Sequence, residues 1–410
     1  MKKYLSALGA ASVLLLPAVA GAEGFGLNEW SAEGVAMSGA RMFANNDAAN
    51  IAYNPAAIVK VENSALKYSV TYLSPSCNYD LFDANGARIE NEPTQNRIHP
   101  AWAPGTYYVK KFGAKDWFGV GAFSRFAMIS EFERTSIAGN NAVLSKLNGL
   151  SLTPVYAHKF NDKLSAAVGA EINYVGLTME RNAIVNPQLP RAATALKGDS
   201  YALGWNAGVN YAFDEKNEAA ITYRSRMKHS MDADFIAYTV LGKKTFSARG
   251  EVTLPDVWSL GYGHKFNDKT RVELNATHTN WSTYDALDID IKGIGVVENP
   301  KNWKDGWRYA IGVEHKLSDK YSLMAGLAYD QASIPQYPAV GGDFMVPTGD
   351  RRTYSIGVQY HDKKQTLGLA LAHIDLGDLS LPGGAHDGFE RAHAYNSKVK
   401  VFSVAYQRSI

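Results

Sequence analysis

The chain has one cysteine, Cys77, in 410 residues, so it can form no disulfide within itself. Beyond its first twenty or so positions, no run reaches the roughly 18 apolar residues of a membrane helix, which excludes a helical membrane bundle. An excess of one charge is missing too: 42 basic residues face 40 acidic ones. That balance leaves no electrostatic footprint for nucleic acid. The 10 histidines are scattered, with no His-Glu-x-x-His, nucleophile elbow or His/Cys cluster to suggest catalysis or a metal. No cofactor is implied. What the chain does have is aromatic rings, 23 Tyr, 8 Trp and 16 Phe, with 36 Gly. Tyr and Trp favour membrane–water boundaries, because an apolar ring carries a polar tip.

The opening residues bear on the compartment. Lys2 and Lys3 precede an apolar stretch from Leu5 to Ala20, and Ala20-Gly21-Ala22 supplies a small-x-small cleavage pattern. This is the layout of a secretory signal peptide over residues 1–22, with the mature chain expected to begin at Glu23. Its removal takes away Lys2 and Lys3 and leaves a chain near neutrality. An exported, aromatic-rich chain without a membrane helix is either a soluble β protein or an outer-membrane barrel.

The pattern along the chain has a period of two. Tyr201, Leu203, Trp205, Ala207, Val209 and Tyr211 fall on one face of a strand; Ala202, Gly204, Asn206, Gly208, Asn210 and Ala212 fall on the other. Tyr309, Ile311 and Val313 alternate with Arg308, Ala310, Gly312 and Glu314, and Tyr354 to Tyr360 repeats the scheme. Apolar-out and small-or-polar-in fits a barrel wall, although a sandwich with one wet face would also alternate. The turns separate these options. Short polar turns begin at Phe112, Phe160, Phe213, Phe266, Leu317 and His361, about fifty residues apart, with longer irregular segments between them. Six such turns, with end strands near Leu66–Leu73 and Lys398–Ile410, predict fourteen strands. The fold class expected is all-β: a 14-stranded antiparallel transmembrane β-barrel over residues 63–410. On its last strand Phe402, Val404, Tyr406 and Ile410 share a face that Arg408 interrupts.

Residues 23–62 do not alternate. EGFGLNEWSAEGVAMSGARMFANNDAANIAYNPAAI predicts short helices near Ser31–Ala40 and Asp47–Ile51, broken by Gly39 and ended at the Asn54-Pro55 turn. Phe25, Leu27, Trp30, Val35, Met37, Met42 and Phe43 are too apolar for a solvated tail, so an N-terminal plug inside the lumen is expected. This opening resembles the N-terminal hatch of the FadL family of long-chain fatty-acid transport porins, a group that includes TodX-type channels for hydrophobic compounds. Further resemblances run in order along the chain: GWNAGVNYAFDEKNEAAITYRSRMK (204–228), LPDVWSLGYG (254–263), Asn280-Trp281-Ser282 and WKDGWRYAIGVEHKL (303–317).

The resemblance implies a non-enzymatic channel in the bacterial outer membrane that binds a hydrophobic molecule in a lumen pocket and passes it on as the hatch moves. A fatty acid needs an apolar cavity with a cation at its wall. Arg181 and Lys304 match positions that resemble the family's carboxylate-binding cations; Glu180 and Asp305 beside them could instead neutralise them. Phe25, Leu27 and Trp30 are expected to line the pocket, and Asn54, Pro55 and Ala56 to form the turn that holds the hatch. Expected partners are a long-chain fatty acid or another hydrophobic small molecule, outer-membrane lipids and lipopolysaccharide, around a monomer. Loops three (about 182–198) and four (about 229–246) read as short for a capture groove. The third strand, Trp117 to Ala127, has no glycine where a kink for lateral exit would need one. The rivals are a barrel enzyme using His373 with Asp375 or His386 with Asp387, an open diffusion porin, and the same fold carrying uncharged hydrocarbons.

Overall fold

The computed structural model describes residues 24–96, 99–184, 190–339, 348–384 and 387–410; the expected signal peptide, Glu23 and His386 lie outside them. Fourteen antiparallel strands close into one ring. They are β1 Ser64–Phe82, β2 Ala101–Lys111, β3 Asp116–Phe123 resuming as Ala127–Glu131, β4 Leu144–Lys159 and β5 Leu164–Ala183. Then come β6 Ala192–Ala212, β7 Asn217–Arg224 resuming as Met227–Thr239, β8 Gly242–Leu254 resuming as Val257–Lys265, β9 Thr270–Thr279 and β10 Gly306–Lys316. The ring ends with β11 Tyr321–Asp330, β12 Arg351–His361, β13 Gln365–Asp375 resuming as Leu379–Pro382, and β14 Arg391–Ser409. Closure is by pairing of last with first, Tyr406 opposite Tyr68 and Val404 opposite Val70. All backbone groups in such a ladder find partners, which is the condition for crossing lipid with strands.

All six short turns join the strands expected, at the end where both Ser64 and Ser409 lie. The Asx side chains of Asn161, Asp214, Asn267 and Asp362 each accept from backbone amides two or three residues on, which is why these positions turn. The outward face carries the large apolar residues. On β6, Tyr201 and Tyr211 are both exposed and ten residues apart, about 33 Å along the strand and about 25 Å along the axis at a tilt of about 40°. That matches the apolar band of an outer-membrane barrel, with tyrosines at its two borders. Arg408 lies near the turn end, opposite Leu66 and Gln365, where its charge reaches the interface.

Two sequence expectations need correction. The ranges taken as loops three and four are mostly strand: β5 and β6 run on to Ala183 and back from Ala192, and β7 and β8 meet at a two-residue turn, Val240-Leu241. These extensions stand beyond the apolar band, where Lys228, Ser230 and Asp232 face outward, so the outward half of the alternation is no longer apolar. The third strand is broken despite lacking the glycine. Phe123 pairs with Ser151 but Ala127 with Asn148, so Ser124-Arg125-Phe126 contains one residue more than the strand opposite. The β2 ladder ends at Phe123 opposite Gly105, and among the described residues none joins β2 to the second half of β3.

Candidate functional site

Residues 24–61 are bonded to strands all round the ring. Ser31 caps a helix, Ala32–Ala36, by accepting from the Gly34 amide; a second short helix covers Asn50–Tyr53. Asn54 then caps a 3-10 helix, Pro55–Lys60, so Asn54-Pro55-Ala56 opens a helical turn and is wholly buried. The Asn54 amide also donates to Met42 O at 3.0 Å and Asn210 Oδ1 at 3.3 Å. Inward glycines let the segment approach: a β-carbon at Gly121 would lie 2.9 Å from Ile51, and one at Gly263 2.9 Å from the Phe43 ring.

Ionic contacts fix the segment near the turn end. Lys67 on β1, 1% exposed, sits 2.7 Å from Glu33 and 2.8 Å from Asp47. Arg41 lies 3.2 Å from Asp47. Glu273 on β9 accepts from the Met42 and Phe43 amides at 2.6 and 3.2 Å, and Lys60 meets Glu218 at 2.6 Å. Burial works to raise the Asp47 carboxyl, but Lys67 and Arg41 outweigh it and hold the group at about 2.

At the long-connection end lies an apolar cavity of about 240 Å³, whose lining includes Met179, Leu196, Phe235, Ile289 and Ile291, with Arg181 at its wall. Glu180 and Glu298 line the same cavity; Glu180 is paired with Arg134 at 2.5 Å. Lys304 is exposed and is not among the residues lining this cavity; its backbone amide donates to Ser333 O at 2.8 Å. The structure therefore does not bring the two expected cations into one pocket. Asp305 accepts from the Ser282 amide at 2.8 Å.

Deeper in, Phe25 is buried in an aromatic cluster, edge-on to Trp281 at 4.8 Å and to Tyr284 at 5.6 Å, with Trp303 at 5.7 Å and Phe126 at 6.1 Å. Leu27 and Trp30 line a smaller cavity of about 50 Å³. Sequence reasoning missed this cavity's arginines, Arg125 and Arg224; their signal was charge on inward positions of an otherwise small-residue face. The same stretch plugs the break in β3. Leu27 N donates to Arg125 O at 2.8 Å and Ala127 N to Phe25 O at 2.9 Å, so Phe25–Leu27 occupies the edge that β2 leaves bare.

The family model of the outer membrane protein transport proteins (OMPP1/FadL/TodX) matches residues 13–407. The chain belongs to this FadL/TodX family. It is 25% identical to the long-chain fatty acid transport protein of Escherichia coli K12, over 96% of this chain and 95% of that protein. It is 26% identical to outer membrane protein P1 of Haemophilus influenzae, covering 93% and 91%. Its fold matches a crystal structure of a Pseudomonas aeruginosa FadL homologue, with a TM-score of 0.83, 21% identity and coverage of 94% and 99%. The Pseudomonas putida toluene transporter TodX matches at 0.72 and 17%, with the same coverage. As a FadL/TodX chain it is an outer-membrane transport channel and not an enzyme. His373, one of the residues a barrel enzyme would have needed, is exposed on β13. Asp387 is occupied by the Asn141 amide at 2.6 Å, and by Gly384 N at the same distance.

Proposed function

We propose that this channel takes up long-chain fatty acids, with residues 23–62 acting as a hatch within the barrel of residues 63–410. The observation that carries this reading is Arg181 on the wall of an apolar cavity, its neighbour Glu180 already paired with Arg134. A carboxylate placed on that guanidinium would leave its alkyl chain against Met179, Leu196 and the short strand Ile289–Ile291. The name of the E. coli relative supports the same cargo. Cargo then moves inward past Val175 and Leu177 on the same face of β5. Withdrawal of Phe25–Leu27 from the broken third strand opens the wall sideways into the lipid. The working unit in this reading is a monomer among outer-membrane lipids and lipopolysaccharide.

Replacing Arg181 by Ala removes a charge-assisted contact worth about 1.5–3 kcal/mol, so oleate affinity should fall roughly ten- to a hundredfold. Lys304→Ala, at a site off the cavity lining, should leave affinity within about twofold. Equilibrium binding of oleate to the purified protein checks both. A second reading is favoured by the aromatic cluster around Phe25: monoaromatic hydrocarbons as cargo, as for the toluene transporter whose fold this chain shares. Unchanged oleate affinity in Arg181→Ala, with toluene binding retained, would select that reading. Mass spectrometry of lipids copurifying with the protein separates the two directly.

A further inference from the structure

The small cavity behind the break in β3 has an unusual lining for a channel of hydrophobic cargo. Arg125 lies within the break itself, is 3% exposed, and reaches Glu171 at 3.0 Å through Nη1. Arg224 is 3.5 Å from the same carboxylate and donates through Nη2 to the carbonyls of Ile51 and Ala52 at 2.7 and 2.9 Å. One buried carboxylate thus serves two guanidiniums. Among the described residues, three buried donors on the cavity lining, Arg125 Nη2, Thr279 Oγ1 and Trp281 Nε1, have neither a hydrogen bond nor an ion pair, and one acceptor, Asn275 Oδ1, has no partner either. A surplus positive charge and three idle donors out of water are costly unless something negative or polar visits them.

We propose that this cavity is a second carboxylate station, at which the head group of an anionic cargo rests on Arg125 while leaving through the break. The proposal rests on the fatty-acid reading above. The volume of about 50 Å³ admits a carboxylate or a few waters and no alkyl tail. The tail therefore follows only when Phe25–Leu27 shifts, which ties occupation of the station to opening of the wall. Arg181 and Glu171 lie on one face of β5, ten residues apart, or about 33 Å, so the stations are separate and an apolar stretch divides them. Glu171 competes with cargo for Arg125, which keeps the station weak enough to release what it receives.

The test uses the full-length protein in proteoliposomes, comparing oleate with oleyl alcohol, which has the same chain length and no charge. Arg125→Gln leaves Arg224 to pair with Glu171, so no carboxylate is stranded. It should lower oleate transport about tenfold, as loss of one charge-assisted contact does. Equilibrium oleate binding at the Arg181 cavity and oleyl alcohol transport should stay within about twofold of wild type. Arg125→Lys should restore most oleate transport, and Glu171→Gln should lengthen oleate occupancy. Equal loss of both cargoes in Arg125→Gln would mean that Arg125 only shapes the wall and would overturn the station. Wild-type oleate transport with Arg125→Gln unchanged would overturn the station and leave the fatty-acid reading standing. Wild-type protein that neither binds nor moves oleate would overturn both.

Discussion

Lys67→Met should turn a closed channel into a leaky one, showing ion-conducting steps in planar bilayers where the wild type is quiet. Lys67 is the cation between Glu33 and Asp47, all three nearly without solvent. Removing it strands charge, and breaking one partner of a buried pair costs about 3–5 kcal/mol. The barrel ladder does not depend on this contact, whereas the segment holding Glu33 and Asp47 does. That free energy is therefore recovered by the segment moving, not by the barrel unfolding. Arg41 and Gln359 still hold Asp47 and Glu33, so the expected result is intermittent opening. A double variant, Lys67→Met with Glu33→Gln, should close again, because Asp47 keeps Arg41 and the cost belongs to the stranded charge. Silent bilayers for Lys67→Met would mean that packing alone seats the segment.

The same cluster sets a pH limit. The Asp47 carboxyl is held at about 2, below its ordinary 3.8. A depressed carboxyl contributes stability that is fully present above its unfolded value and is lost as pH falls through its folded one. Seating of the segment should thus not vary through Asp47 between neutrality and about pH 4, and should weaken from there towards pH 2. Bilayer conductance recorded across that range checks the window.

The barrel was legible because lipid imposes a simple rule on every strand, apolar outward with period two, and because Asn or Asp at the turns leaves a mark of its own. The strands beyond lipid lost that rule: residues 182–198 and 229–246 read as loops since their outward face meets water and turns polar, while apolar side chains such as Leu196 and Met231 face inward. The inward glycines were read only as small residues. Their placement opposite Ile51, Met37 and Phe43 comes from two distant stretches meeting, which no local pattern records. Arg181 was reachable only through a resemblance, and its separation from Lys304 depends on how long connections fold. Arg125 and Arg224 stood in view as charges on inward positions. Their shared carboxylate, Glu171, is 46 residues from one and on another strand from both.

Gly149→Val should abolish cargo transport while leaving equilibrium binding at the outer cavity intact. The glycine that the third strand lacks is on its neighbour. Gly149 lies on β4 beside the break, accepts from Ser124 Oγ at 2.6 Å, and a β-carbon there would run into the Phe126 carbonyl. A backbone atom cannot swing aside as a side-chain end can, so the extra volume must push Phe126 away from β4. The space on its far side belongs to Phe25, Trp281 and the small cavity, so the displaced ring fills the passage that cargo would use. Overpacking of this kind costs about 1–3 kcal/mol, small against a closed barrel, and the protein should still show the heat-dependent electrophoretic shift of a folded barrel. Gly149→Ala should fall between wild type and Gly149→Val in transport rate. If Gly149→Val moved oleate at the wild-type rate in proteoliposomes, cargo would not pass through the break in β3, and exit would have to run past the hatch towards the turn end.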